Sequence, residues 1–332
     1  MAPQVGLEPT TLRLTAGCSA IELLRSAGTP STAHRSRLIV AIDGCCVKTG
    51  KTAFASRKRN SLAELTPNPM TPSRYVLARD IPDERDYVYS LERHQLRGPL
   101  PRRVDLRRHC PRVQDQGNPG TCTAHAVAAA YAFEQRVLRF RPITPSRLFI
   151  YYNERSLTKQ RGLNCVVRLR DALRAVSKRG VCPEALWPYS EDSKVLRAKP
   201  SKEAFAAAAN HKIIEYHRIP IGHLSHKSFL RHLQQCLADG CPFLFGFTLY
   251  EGFESKEVKK SGIMPEPDRK REKLLGGHAV MGVGYDDRRR AVLVRNSWGP
   301  HWGIGGYFWM SYELIKDPEF AHDFWTVRGV SG

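Results

Sequence analysis

Cys122 stands where a run of turn formers, Gly117, Asn118, Pro119 and Gly120, gives way to the alanine-rich stretch CTAHAVAAAYAFE. Alanine is the strongest helix former and glycine and proline punctuate turns, so the sequence predicts a cysteine in the first turn of a helix. Free cysteine is usually a small buried hydrophobe. At a helix start it faces unpaired amides and the positive end of the helix dipole, and beside an imidazolium its thiol pKa falls into the ~3.5–7.5 range. A thiolate at neutral pH is a nucleophile.

Such a nucleophile requires a base, a group that orients the base, and donors for a developing oxyanion. Of the twelve histidines, His278 opens the apolar run HAVMGVGY directly after Gly276 and Gly277, two glycines that let another backbone approach closely. A lone histidine in such a run is more often a satisfied core residue; its company changes that reading. Asn296 in VRNSWG is placed to accept an imidazole N–H at the end of a strand, although asparagine is also an ordinary turn former. Trp298 is placed to shield that bond from water, or simply to fill a core. The Gln116 side-chain amide and the Cys122 backbone N–H converge from one loop as oxyanion donors. Gly277 and Trp298 are the expected substrate contacts. His301 reads as a surface turn residue, and His125 is expected to face into the helical half.

The elements that must hold these residues divide in two. A helix from Cys122 ends before Pro142; SRLFIYYNERSL and LRDALRAVSKRG follow with apolar residues at three- and four-residue steps, the latter stopped by Gly180. KIIEYHRIP then alternates as a strand, SHKSFLRHLQQCLADG reads as a capped helix, and PFLFGFTLY as a buried strand. GHAVMGVGYDD, AVLVRNSWG and GGYFWMSYEL read as strands joined by turns. A helical half thus precedes a β-rich half, and clefts form between such halves.

A formal charge of +20 fits a nucleic-acid binder in principle, because neutralised phosphates release counterions. The basic residues here are scattered in short clusters, Arg57-Lys58-Arg59, Arg269-Lys270-Arg271 and Arg288-Arg289-Arg290, and read as a solvated surface with no specific nucleic-acid partner. No apolar run reaches the ~18 residues of a membrane span. Nine cysteines without a compact framework indicate a reducing compartment or few disulfides. Cys122-x-x-His125 and Cys236-x4-Cys241 lack second pairs at zinc-finger spacing, so no metal site is expected. The stretch RLIVAIDGCCVKTGKT approaches a phosphate loop but has one residue too many between its glycines, and ATP binding is not expected.

The order Gln116, Cys122, His278, Asn296, with QDQGxxGxC, GHAV and NSWGxxWGxxGYF, resembles the papain-like cysteine peptidases, whose His and Asn follow the Cys by ~130–150 residues; the spacing here is slightly longer. RLFIYYNER, GVCPEALWPY and PFLFGF resemble bacterial members, and the likeness covers roughly Val104 to Arg328. The resemblance implies an α+β, two-lobed fold with a helical N-terminal lobe, a β-barrel-like C-terminal lobe and a cleft between. It implies peptide hydrolysis through an acyl-thioester on Cys122, with His278 as acid and base and no cofactor. A peptide ligase using the same site, or a non-catalytic peptide-binding relative, are the alternatives. The expected organisation is an extension over 1–70, with a true start at Met70, then a peptidase domain over 71–332: entry segment 71–103, helical lobe about 104–210 and β-rich lobe about 211–330. The expected partner is a peptide or protein substrate, and the protein is expected to be a cytoplasmic monomer with no membrane span.

The sequence also departs from that family. Pro119 stands where many members carry a disulfide-bonded cysteine, Thr123 where an aromatic residue follows the nucleophile, and Gly277 where an acidic residue precedes the histidine. GLNCVVRLRDAL replaces the Asp/Ser/Gly-rich segment expected at the substrate rim. The stretch from Met70 to Pro101 is too short and proline-interrupted for a long helical inhibitory propeptide, and is expected instead to lie along the cleft.

Overall fold

The alanine-rich stretch forms helix α1 (Cys122–Val137) in the computed structural model, which describes residues 74–89, 99–159, 165–220 and 225–332. The extension and its phosphate-loop-like stretch lie outside the described residues. Helix α1 is buried from Cys122 to Gln135, because alanine side chains let neighbouring elements approach its axis from every side. Around it pack α2 (Arg147–Leu157) and α3 (Leu169–Arg179). The Ser146 hydroxyl caps α2 by accepting from the Phe149 amide, and Gly180, at φ 77°, ends α3 as its sequence signal predicts. Two short helices, α4 (Ser193–Arg197) and α5 (Lys202–Ala208), complete this lobe.

The other lobe is built on a seven-stranded sheet in which every pairing is antiparallel. Its strands are β1 (Arg103–Asp105), β2 (Ile213–Ile219), β3 (Phe243–Tyr250), β4 (Leu274–Asp286), β5 (Ala291–Arg295), β6 (Tyr307–Ser311) and β7 (Ala321–Val330). They run in the order β2-β7-β3-β4-β5-β6, with β1 pairing β4 off that path. The sheet is therefore open rather than closed into a barrel: β2 and β6 are its two ends, and α3 packs on β2. Phenylalanines hold the lobe together. Phe245 and Phe324, both fully buried, stack with centroids 5.2 Å apart and planes 2° from parallel, and each such side chain contributes roughly 1.5–3 kcal/mol through burial. Helices α6 (His226–Ala238), α7 (Lys256–Ser261) and α8 (Tyr312–Lys316) cover it. The basic clusters at Arg269–Arg271 and Arg288–Arg290 lie in exposed turns, as their sequence suggested.

The entry segment does more than lead into the fold. Val76 bridges Gly277 of β4 and Leu77 bridges Val167, just ahead of α3, so residues 75–78 form a strap between the two lobes. The Ala78 amide donates to the Val167 carbonyl at 2.9 Å, and the Val167 amide donates to the Val76 carbonyl at 3.2 Å. Val167 belongs to the unusual rim stretch GLNCVVRLRDAL, and its role as the strap's partner is one physical outcome of that divergence.

Candidate active site

Cys122 is the first residue of α1 and fully buried. The amide of Ala279, next to His278 on β4, faces its sulfur, so the helix start and the strand meet at the seam between the lobes. His278 is also fully buried, and its Nε2 donates to Asn296 Oδ1 at 2.8 Å. That assigns the proton to Nε2 and leaves Nδ1, which makes no hydrogen bond, as the free lone pair. Asn296 follows β5, its amide donating to the Gly306 carbonyl at 2.9 Å, and its Oδ1 also accepts from the Ser297 amide at 2.8 Å. The side chain is thereby held with its oxygen toward the imidazole.

Trp298 lies against His278 with ring centroids 5.2 Å apart and planes tilted by 33°. It is itself covered by the Arg74 guanidinium at 4.5 Å from the ring centre and by Tyr75. Gln116 is fully buried rather than a solvated loop residue. Its Nε2 donates to the Pro119 carbonyl at 3.2 Å, and its Oε1 accepts from Ser297 Oγ at 2.5 Å. Ser297, adjacent to Asn296 in the NSWG motif, is a residue the sequence reading missed; its neighbour was the available signal.

Gly277 is approached closely, but by the chain itself. A Cβ there would lie 2.4 Å from the Leu77 carbonyl oxygen, and one on Gly276, at φ +140°, 2.5 Å from that of Tyr75. Both positions accommodate the strap only because they lack side chains. Tyr75 meets His278 edge to face at 6.1 Å and lies close enough to Cys122 to feel its charge. The Tyr75 hydroxyl donates to Glu254.

This cover reverses the expected thiol acidity. Burial pushes the Cys122 thiol up to about 12; the amides of Ala279, Thr123 and Cys122 itself pull it back only in part, while Glu154 adds to the rise. Burial likewise pushes the His278 imidazole down to about 4 against the raising effect of Asn296, and Arg74 lowers it further. Burial thus favours the neutral form of both groups. The helix-terminus argument is sound locally but is outweighed by the exclusion of water.

Behind the nucleophile, Thr123 Oγ1 donates to both oxygens of the fully buried Glu154, at 2.9 and 3.1 Å. This pair fills the position where an aromatic residue was expected, and burial pushes the Glu154 carboxyl up to about 8. His125 faces the helical lobe as expected, its ring edge to face with Tyr189 at 5.0 Å, and it also lines a cavity beside α1. His301 is exposed, as its turn suggested.

The strap is anchored beyond the cleft by Asp80. Its Oδ2 accepts from Trp325 Nε1 at 2.8 Å, its Oδ1 from the Arg170 amide at 3.3 Å, and its own amide donates to Asp323 Oδ2 at 2.8 Å. Burial and the neighbouring Asp323 hold the Asp80 carboxyl above the usual carboxylate range.

Comparison with known proteins follows the same lines. A family model described as papain family cysteine protease matches residues 100–323. The chain is 39% identical over 219 residues to a peptidase C1-like protein of Acanthamoeba polyphaga mimivirus, covering 65% of this chain and 70% of that one. Among solved structures it is similar to xylellain, a cysteine protease from Xylella fastidiosa, with TM-score 0.68 and 38% identity over 78% of this chain and 97% of that chain. Digestive procathepsin L 3 of Tenebrio molitor shares the fold at TM-score 0.55 and 18% identity, over 79% of this chain and 77% of that chain.

Proposed function

Because this chain belongs to the papain family of cysteine proteases, we propose that it hydrolyses peptide bonds with Cys122 as nucleophile and His278 as general acid and base. The single observation that carries this reading is the 2.8 Å bond from His278 Nε2 to Asn296, which leaves Nδ1 free beside the residue whose amide faces the Cys122 sulfur. Once the strap leaves, water and substrate enter, and the proton passes from Cys122 to His278. The thiolate attacks the scissile carbonyl carbon, and the oxyanion is met by the Cys122 amide and a Gln116 N–H. The imidazolium protonates the leaving amine, and water, giving a proton to the same imidazole, then releases the acyl group as a carboxylate.

The strap supports a second element of the reading: residues 75–78 occupy the cleft and restrain activity until displaced. Six described cysteines are free, Cys110, Cys122, Cys165, Cys182, Cys236 and Cys241, which favours a reducing compartment such as the cytoplasm. Among the described residues no helix is long and apolar enough to cross a membrane.

The test is to treat the purified protein, and a version lacking the residues before Arg102, with an irreversible thiol-directed epoxide and map the adduct. The expected result is labelling at Cys122 that the truncation accelerates and His278→Ala removes. Labelling spread over several cysteines, with no cleavage of denatured protein substrates, would overturn the assignment.

A further inference from the structure

The alanines of α1 leave space that the mechanism does not use. Ala126, Ala128, Ala129 and Ala132 line a partly open cavity of about 150 Å³ beside α1, with Val280 and Met281 of β4 also in its wall. That is about the volume of an apolar cavity that holds one benzene molecule. This cavity does not include Cys122 and is separate from the strap-filled cleft.

Its polar lining is one-sided. Asn296 Nδ2, Arg147 Nε and His125 Nε2 are all buried without a hydrogen-bond partner, on residues no more than 7% exposed. Arg295, 5% exposed, meets only uncharged oxygens there: the carbonyls of Pro111 and Arg112 and the Tyr307 hydroxyl. Arg112 and Arg136 lie exposed at the rim. Among the described residues that line the cavity there is no aspartate or glutamate, and the pairing of Arg147 to Glu184 leaves its Nε unused. Buried polar groups without partners are rare and costly, and the two donors among them, Asn296 Nδ2 and Arg147 Nε, mark a place for an oxygen-bearing anion in this basic cavity.

We infer that this cavity is a binding site for a small carboxylate carried on a compact apolar body, of about the size of benzoate. The apolar body packs on the α1 alanines and the carboxylate accepts from Asn296 Nδ2 and Arg147 Nε. His125 sets a condition. Its Nδ1 faces the Thr121 carbonyl at 3.0 Å and therefore carries the proton of the neutral ring, so Nε2 can donate to the ligand only as imidazolium. Burial first, and then the Arg147 and Arg295 guanidiniums, hold that imidazole down to about 3 against the raising effect of the Thr121 and Asp115 carbonyls, which favours the neutral ring. The carboxylate is therefore held by Asn296 Nδ2 and Arg147 Nε, with His125 as a neutral neighbour. The site also touches the amide whose oxygen orients His278, so occupancy pins Asn296 from behind.

The inference does not depend on the peptidase mechanism, and binding is the readout. Titration calorimetry of the full chain with benzoate should show one site per chain, with Kd on the order of 1 mM or tighter. Benzyl alcohol, the neutral analogue, should bind at least about tenfold more weakly. Ala129→Leu, which fills the space, should abolish binding, and Arg112→Gln at the exposed rim should weaken it, with melting curves confirming that both variants fold. Equal binding of benzoate and benzyl alcohol, retention by folded Ala129→Leu, or no saturable heat with the folded parent protein would each overturn the inference.

Discussion

The Leu77 carbonyl oxygen would lie 2.4 Å from a Cβ on Gly277, so the strap's backbone rests on the strand that carries His278 with no room for a side chain between them. Overpacking of this kind costs about 1–3 kcal/mol. Gly277→Ala should displace the strap, and alkylation of Cys122 by iodoacetamide, followed by mass spectrometry, should accelerate about 10- to 100-fold. Peptide turnover should stay low in the same variant, because a substrate backbone meets the same methyl group.

Asp80→Ala separates the strap from the cleft floor. The substitution removes the acceptor for Trp325 Nε1 and the Arg170 amide without altering Gly277. Losing a buried acceptor costs roughly 1–3 kcal/mol, so Cys122 alkylation should rise at least several-fold. Peptide turnover should rise with it, unlike in Gly277→Ala, and steady-state kinetics on a fluorogenic peptide distinguish the two.

Asn296→Ala removes the partner of His278 Nε2. The imidazole is then free to turn, and its buried N–H is left unmet at a cost of about 1–3 kcal/mol. In a strap-released background kcat should fall about 10- to 100-fold while KM changes little, since the interaction acts through His278 rather than on bound peptide.

Burial holds the Cys122 thiol up at about 12 and the His278 imidazole down at about 4 while the strap is in place. Release admits water and weakens the common cause in both groups, so the thiol falls and the imidazole rises toward an ion pair. The pH at which Cys122 alkylation is half-maximal should therefore shift downward by more than about one unit in Gly277→Ala relative to the parent. An unchanged midpoint would show that the strap does not control the ionisation.

Glu154 gives a pH dependence of stability with a definite sign. Its folded pKa is raised by burial to about 8, so the folded state keeps a proton that the unfolded chain releases near 4.5. Its contribution is fully present below the unfolded value and is lost as pH rises toward 8. Glu154→Gln keeps a partner for Thr123 Oγ1 and cannot ionise. In urea denaturation the variant should lose less stability than the parent between pH 5 and pH 9, and should be the more stable of the two at the upper end.

Much of this protein was legible in sequence because its signals are local. The glycine-rich loop and the alanines around Cys122 determined a helix start; Ser146 and Gly180 bounded two more elements; and NSWG, GHAV and the glycines before His278 marked residues that the fold brings to one seam. Strand β7 escaped notice because its Asp323 and His322, buried and bonded to each other, interrupt the apolar alternation that announces a strand. What depended on distant partners could only be decided in three dimensions. Burial raises the Cys122 thiol, and that burial comes from segments far from it in the chain, so no helix-terminus rule carries the information. The open edge of the sheet, the Gln116–Ser297 bond and the basic cavity behind Asn296 arise likewise where segments far apart in the chain meet. Spacing and residue type name the groups able to react; burial and partners, which only packing creates, set their charge.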